Sequence, residues 1–153
     1  MAAEIGSMEI ELAAALVRLS HLVQHVFADA SRQHELTPQQ AQLLCQLAGG
    51  PVGMGELSRL LHLEKSSLTG LVDRVEQRGL VIRIRDAHDR RACQISLTGK
   101  GSELAHECHD DVTSRLDKLA GELPSTDRTL LAGAIGQLLT EHGQPVTVSS
   151  SGR

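Results

Sequence analysis

Apolar residues recur at helical spacing over most of this chain, and at a spacing of two in one short central region. In residues 9–34, Leu12, Leu16, Leu19, Val23, Val26 and Ala30 alternate steps of four and three. That is the seam of a coiled-coil-type helix, and Leu22 and Phe27 widen it. Thr37-Pro38-Gln39-Gln40 reads as a helix start, with a hydroxyl N-cap, proline in the first turn and glutamine three residues after the cap. Ala41, Leu44 and Leu47 face inward, and Gly49-Gly50-Pro51 ends this second helix. Val52-Gly53 is a short extended segment able to add a third strand to a later hairpin. Residues 55–61 give a short third helix with Leu57, Leu60 and Leu61 apolar, and His62-Leu63-Glu64 forms a turn. Residues 65–78 give a fourth helix, with Leu68, Leu71, Val72 and Val75 on one face and Gly79 as its stop. The period then changes to two in residues 80–85 and 92–97, which flank the charged turn Asp86-Ala87-His88-Asp89-Arg90-Arg91. Thr98 caps a long helix reaching about Ala120, with Leu104, Cys108, Val112, Leu116 and Leu119 as its seam. Gly121 stops it. The last helix starts at Ser125 or Thr126, carries Leu130, Leu131, Ala134, Ile135, Leu138 and Leu139, and ends at Gly143 and Pro145.

Two helices joined by a short turn and followed by a basic hairpin make a winged helix-turn-helix. The expected fold is therefore mainly α (α+β), with a winged unit at residues 37–98 between flanking helices at 9–34 and 99–143. Together these form a single domain over residues 9–143. Residues 1–8 read as a flexible leader, and the Ser-rich residues 144–153 as a disordered tail. An apolar first helix needs a partner, either a folded-back helix or a second subunit.

The chain has 153 residues, with one Phe and no Tyr or Trp. Its core must be built from Leu, Val, Ile and Ala, which suits packed helices. No run of apolar residues is long enough to span a membrane, and no charged-then-apolar leader marks a signal peptide. Cys45, Cys93 and Cys108 are widely spaced, which argues against a disulfide framework and for a reducing cytoplasm. The net charge of −4 is unevenly spread. Residues 65–100 hold eight Lys/Arg against four Asp/Glu; residues 1–64 hold three against seven, and residues 101–153 hold four against eight. One basic face between acidic surroundings suits a molecule that attracts phosphate on one side only.

The outward face of the fourth helix carries Ser66, Ser67, Thr69, Gly70, Asp73, Arg74 and Gln77, with Lys65 at its start. Small residues let a helix sit deep in a major groove, and hydroxyls and free backbone N–H groups can bond phosphates or base edges. An ordinary solvated helix face would look much the same. The hairpin separates the two readings. Arg83, Arg85, Arg90 and Arg91 fall within nine residues, the right charge and shape for a minor groove. Asp89 and Asp73 are suited to hold wing arginines in one orientation.

These segments resemble a known family. Leu57-Ser58-Arg59-Leu60-Leu61, the run from Ser66 through Glu76, Gln77-Arg78-Gly79-Leu80-Val81, Asp86-Ala87-His88-Asp89-Arg90-Arg91-Ala92 and Leu97-Thr98-Gly99-Lys100-Gly101 are similar to the MarR family of bacterial transcription regulators. The resemblance implies a homodimer bound to a pseudo-palindromic operator in double-stranded DNA, with Ser66 to Arg74 on the recognition helix and Arg91 in the minor groove. It implies a dimer interface of interdigitated terminal helices, with Leu12, Leu16, Leu19 and Val23 from the first and Leu131, Ile135 and Leu138 from the last. Many relatives carry a large or basic residue where Gly70 stands, so base readout there is either weaker or passes to the backbone.

The resemblance also implies repression relieved by a small-molecule effector, lipophilic or phenolic, lodged between the dimer helices and the winged unit. Two other signals compete. Eight histidines include His21 and His25 on one helix face, and His106 and His109 beside Cys108; with His34 they could serve a zinc-responsive regulator, although no zinc-binding spacing motif is present. Cys93, next to Arg90 and Arg91, is the best placed for thiol oxidation. No resident cofactor or metal is called for, and no phosphate loop or nucleophile motif supports an enzyme. A winged-helix module for protein–protein contact is the remaining alternative, disfavoured by four arginines near a hairpin tip.

Overall fold

The computed structural model describes residues 11–85, 87–89 and 92–143. The leader, the tail and the wing-tip residues Asp86, Arg90 and Arg91 lie outside the described residues. The elements run α1 (Leu12–Gln33), α2 (Pro38–Leu47), β1 (Val52–Gly53), α3 (Met54–Leu61), α4 (Lys65–Gln77), β2 (Val81–Arg85), β3 (Cys93–Leu97), α5 (Gly99–Ala120) and α6 (Ser125–Glu141). The fold is the mainly helical winged helix-turn-helix that the hydrophobic pattern predicts. The chain divides into two compact units, Met1–Ser114 and Arg115–Arg153. None of the described helices is long and apolar enough to cross a membrane.

In the first unit, α2 begins as its sequence dictates. Gln40 N–H donates to Thr37 Oγ1 at 3.2 Å and Thr37 N–H donates to Gln40 Oε1 at 3.1 Å, a reciprocal capping box with Pro38 in the first turn. The helix then buries Leu43, Leu44 and Leu47 against Leu57 of α3, Leu68, Leu71, Val72 and Val75 of α4, and Ile95 of β3. Each such side chain contributes about 1.5–3 kcal/mol on leaving water, so this aliphatic cluster fixes α4 against its scaffold without aromatic residues. The turn between α3 and α4 is tight because His62 takes a left-handed conformation, with φ of 51°.

The sheet has the order β1-β3-β2, all antiparallel. Val52 and Arg83 both pair with Ile95, on opposite sides of β3. The second period-two run begins one residue later than the alternation suggests, because Ala92 N–H turns back to Asp89 O at 3.0 Å. The first also begins one residue late. Leu80 belongs to the helix stop: Gly79 adopts a φ of 73°, and Leu80 N–H donates to Val75 O at 3.0 Å, the closing bond of a Schellman motif.

The end of the sheet is stitched to α5 over a very short distance. Thr98 N–H donates to Leu80 O at 3.0 Å, Thr98 Oγ1 donates to Gly79 O at 2.6 Å, and Gly101 N–H donates to Thr98 Oγ1 at 3.0 Å. Gly101 is fully packed here: a Cβ on it would stand 1.8 Å from Leu80 O. Main chain cannot give way as a side chain can. Gly101→Ala is therefore expected to destabilise the fold by about 3 kcal/mol, the upper end of overpacking costs. Thermal denaturation should show this as a fall of roughly 10 °C, and an unchanged midpoint would mean that α5 approaches the sheet less closely.

α1 is buried only near its C-terminal end, at Ala30 and Ser31. Its seam residues toward the N-terminus stay open, with Leu12 73% exposed, Leu16 and Leu19 each 41% and Val23 half-buried. In the second unit, α6 buries none of its residues. Leu130, Leu131, Leu138 and Leu139 are exposed there, and Ile135 is half-buried.

Candidate nucleic-acid interface

The core face of α4 fixes the direction of its other face. With Leu68, Leu71, Val72 and Val75 buried, the residues between them must project outward. Lys65, Ser66, Ser67, Thr69, Asp73 and Arg74 are all exposed. Gly70 lies among them, and a Cβ there would meet only the Arg74 guanidinium, at 3.4 Å; the glycine thus leaves a shallow notch in the helix face. Thr69 Oγ1 donates back to Lys65 O at 2.8 Å, which leaves its oxygen as an acceptor. At the N-terminus of α4, Glu64 supplies no side-chain cap. The first-turn N–H groups of this helix thus lack a side-chain acceptor and carry the positive end of its dipole.

Between α4, the start of α3 and the wing strands runs a groove of about 830 Å³. Its polar lining comprises Ser58, Lys65, Thr69, Arg83 and Arg85. Lys65, Thr69, Arg83 and Arg85, all singled out in the sequence, are thereby gathered into one basic concavity. Ser66, Ser67, Gly70 and Arg74 lie along the same helix. Arg90 and Arg91 fall outside the described residues. Asp89 is exposed at the wing, where its carbonyl accepts the Ala92 N–H.

Arg83 is the residue that sequence reasoning undervalued. From β2 its guanidinium reaches α4, with one nitrogen on Asp73 and another on Glu76. The hydrogen bond to Asp73, reinforced by the charges of both carboxylates, pushes the Arg83 pKa further up. One cation thus bridges two carboxylates beside the groove, leaving a net charge of −1 across the three side chains, and ties the wing to α4. Asp73 was legible in the sequence as a holder of a wing arginine; Glu76 was not, because its sharing of Arg83 depends on the angle between β2 and α4.

The histidine and cysteine candidates are dispersed. Cys108 is buried in the core, while His106 and His109 on the same helix are exposed. His106 pairs with Asp110 at 3.4 Å and His25 with Asp29 at 3.4 Å, each within one helix. His34 pairs with Asp111 at 3.3 Å. Among the described residues, no three His, Cys, Asp or Glu side chains are grouped to hold a metal ion. The His106, Cys108 and His109 set is split between core and surface by the helical turn itself.

Of the three thiols, Cys93 is half-buried and lines the groove beside Arg83. Cys45 is held protonated: burial, with a contribution from Cys108, pushes its pKa from 9.0 up to about 11. Between these values the unfolded chain has released the proton and the native chain has not. The native state then binds more protons, so stability falls as pH rises from 9 to 11, by roughly 2 kcal/mol in all. Cys45→Ala should flatten that part of a denaturation-against-pH profile. An equally steep profile in the variant would place the alkaline loss elsewhere.

A MarR family model matches residues 34–92. The chain is 27% identical over 124 residues to the HTH-type transcriptional regulator FarR of Neisseria gonorrhoeae, covering 80% of this chain and 85% of that protein. It is 30% identical over 106 residues to the homoprotocatechuate degradative operon repressor of Escherichia coli, covering 69% of this chain and 72% of the repressor. Among solved structures, NadR in complex with 4-hydroxyphenylacetate superposes with a TM-score of 0.69 at 26% identity, over 86% of this chain and 94% of that one. An uncapped helix beside a basic groove and wing defines a winged helix-turn-helix regulator in form. The chain belongs to the MarR family of transcriptional regulators.

Proposed function

We propose that the protein is a repressor that binds a pseudo-palindromic operator in double-stranded DNA as a homodimer. The observation that carries this reading is the basic groove between α4 and the wing. There Lys65, Arg83 and Arg85 stand beside Thr69 and the uncapped start of the helix. Lys65, Arg85 and the first-turn N–H groups bind phosphates. Ser66, Ser67, Thr69, Gly70 and Arg74 approach base edges in the major groove, with backbone contact at Gly70. Arg90 and Arg91 enter the flanking minor groove, and Asp73 and Asp89 orient wing arginines.

The exposed leucines support dimerisation. Apolar side chains clustered along one helix are uncommon on a monomer's surface and mark an interface. Leu12, Leu16, Leu19 and Val23 on α1, and Leu131, Ile135 and Leu138 on α6, supply it. A two-fold dimer can present its recognition helices about one DNA turn (~34 Å) apart.

A small phenolic effector modulates binding. Between α1, α2 and α3 lies a cavity of about 240 Å³, lined by Phe27, Leu60, Leu61, Cys45, Gln42, Gln46 and His62. Its size suits one ring, the sole phenylalanine gives it a face to stack on, and Gln42, Gln46 and His62 offer hydroxyl partners. The neighbour NadR was solved with 4-hydroxyphenylacetate, which makes such monocyclic phenols the first compounds to try.

The test is a titration against the DNA upstream of the protein's own coding sequence and an unrelated duplex, at two salt concentrations. Preference for the upstream DNA, with affinity falling steeply as salt rises, is the outcome for a regulator that neutralises several phosphates. Weak, salt-independent association with both duplexes would refute the reading.

A further inference from the structure

We propose that Arg78 is a positioning residue for DNA recognition. It joins the turn that ends α1 to the C-terminal end of α4, and so sets how far apart a dimer holds its two recognition helices. This rests on the dimeric, DNA-binding reading given above.

Arg78 is the C-cap of α4, with its backbone N–H on Arg74 O. Its Nη1 donates to Glu35 O at 2.7 Å and to Gln40 Oε1 at 3.2 Å. Glu35 lies in the passage from α1 into α2, and Gln40 in the first turn of α2. Glu35 holds a φ of 56°, a left-handed conformation that non-glycine residues seldom adopt and that its surroundings must maintain. Gln40 is buried, and its Oε1 already accepts the Thr37 N–H of the capping box. Arg78 therefore grips backbone and a fixed side chain, not a mobile rotamer. Its own carbonyl accepts Lys100 Nζ at 3.2 Å, which brings the first turn of α5 to the same point. On the other side of the turn, His34 pairs with Asp111 of α5.

The mechanical consequence follows from where α1 is anchored. Only its C-terminal end is buried, while its apolar stripe lies further toward the N-terminus. A helix of 22 residues is about 33 Å long, so tilting it by about 10° at the anchored end moves its far end by about 6 Å. Helix spacing on DNA must match one turn of the duplex, and displacements of that size break the match. Beside the burial of Ala30 and Ser31 and the His34–Asp111 pair, the contact between Arg78 and the main chain of the turn limits such tilting from the side of α4. A guanidinium suits this task because one rigid fork can serve two acceptors.

The experiment compares the full-length protein with Arg78→Ala and Arg78→Lys on three duplexes. These are a site selected by the unmutated protein from a random pool, the same site with one base pair inserted between its halves, and a single half-site. Arg78→Ala should remain a dimer by sedimentation and lose about tenfold in affinity for the selected site. It should bind the half-site within about twofold of the unmutated protein, and lose its preference for the selected spacing over the inserted one. Arg78→Lys, which offers a single point donor to the Glu35 carbonyl, should recover part of that preference. Equal losses on full site and half-site would mean a merely structural role and would overturn the inference, as would unchanged spacing preference. Should Arg78→Ala not fold, Arg78→Lys decides alone: an intermediate spacing preference supports the inference and an unaltered one overturns it. Failure of the unmutated protein to select any site would instead remove the DNA-binding reading, and this inference with it.

Discussion

Replacing Leu16 and Leu19 together with glutamate is expected to abolish high-affinity operator binding by dissociating the dimer. Each leucine is 41% exposed in the single chain, so neither is needed to fill the core of its own unit. Burying each in an interface contributes about 1.5–2 kcal/mol, and a carboxylate placed there without a partner costs several more. In a two-fold interface every substitution appears twice. The combined effect exceeds 10 kcal/mol as an order of magnitude, enough to take a nanomolar dimer beyond any practical concentration. Sedimentation should show a monomer, and the operator complex should disappear. An active dimer carrying both glutamates would remove α1 from the interface.

The second large effect is expected at Arg83. Arg83→Ala takes one cation from the groove and leaves Asp73 and Glu76 uncompensated beside the DNA phosphates. In the free protein these carboxylates are roughly half exposed, so water can solvate them and stability should fall by less than about 1 kcal/mol. On DNA the same carboxylates face like charge. Operator affinity should then fall by about 2–3 kcal/mol, roughly a hundredfold. Removing both negative charges by adding Asp73→Asn and Glu76→Gln to Arg83→Ala should recover a large part of this. Recovery separates repulsion from simple loss of an arginine–phosphate contact, because the triple variant still lacks the arginine. A triple variant as weak as Arg83→Ala would assign Arg83 to direct contact instead.

The contrast between these residues shows what the linear chain discloses. Leu16 and Leu19 are legible because helical spacing is a local property, and the structure leaves them on an open stripe. The capping box at Thr37 and Gln40 is likewise readable from a few adjacent residues, and so is Val52-Gly53 as a short extended segment, though not which strand it joins. Arg83 and Arg78 were less so, because their partners are distant in sequence. Arg83 meets Asp73 and Glu76 only once the strand is laid against the helix, and Arg78 reaches across to Glu35 and Gln40. Gly101 is a further case. Its place in the Leu97-Thr98-Gly99-Lys100-Gly101 segment signals a family likeness, but only the Leu80 carbonyl beside it explains why a side chain cannot be there. The histidines err in the other direction. His106, Cys108 and His109 are neighbours in sequence, yet a turn of helix sends Cys108 to the core and leaves both imidazoles outside.

The candidate interface has fixed parts and adjustable ones. Leu68, Leu71, Val72 and Val75 are locked into the aliphatic core, so the angle of α4 against α2 and α3 is set by packing. Ser66, Ser67 and Thr69 are exposed and Gly70 is half-buried. Substitutions at these four positions should retune sequence preference at little cost in stability, as expected where small outward residues read base edges. The cavity lined by Phe27, Leu60 and His62 opens between α1 and the helix-turn-helix. A ligand seated there would act on the angle of α1, the same geometry that the contact between Arg78 and Glu35 restrains.

The most direct measurement of the central claim is a hydroxyl-radical footprint of the protein on a duplex it selects from a random pool. A homodimer reading two half-sites predicts two protected segments on one face of the duplex, related by a two-fold axis and centred about one helical turn apart, with minor-groove protection at their outer edges from the two wings. A single protected segment, or uniform protection without a two-fold centre, would contradict it.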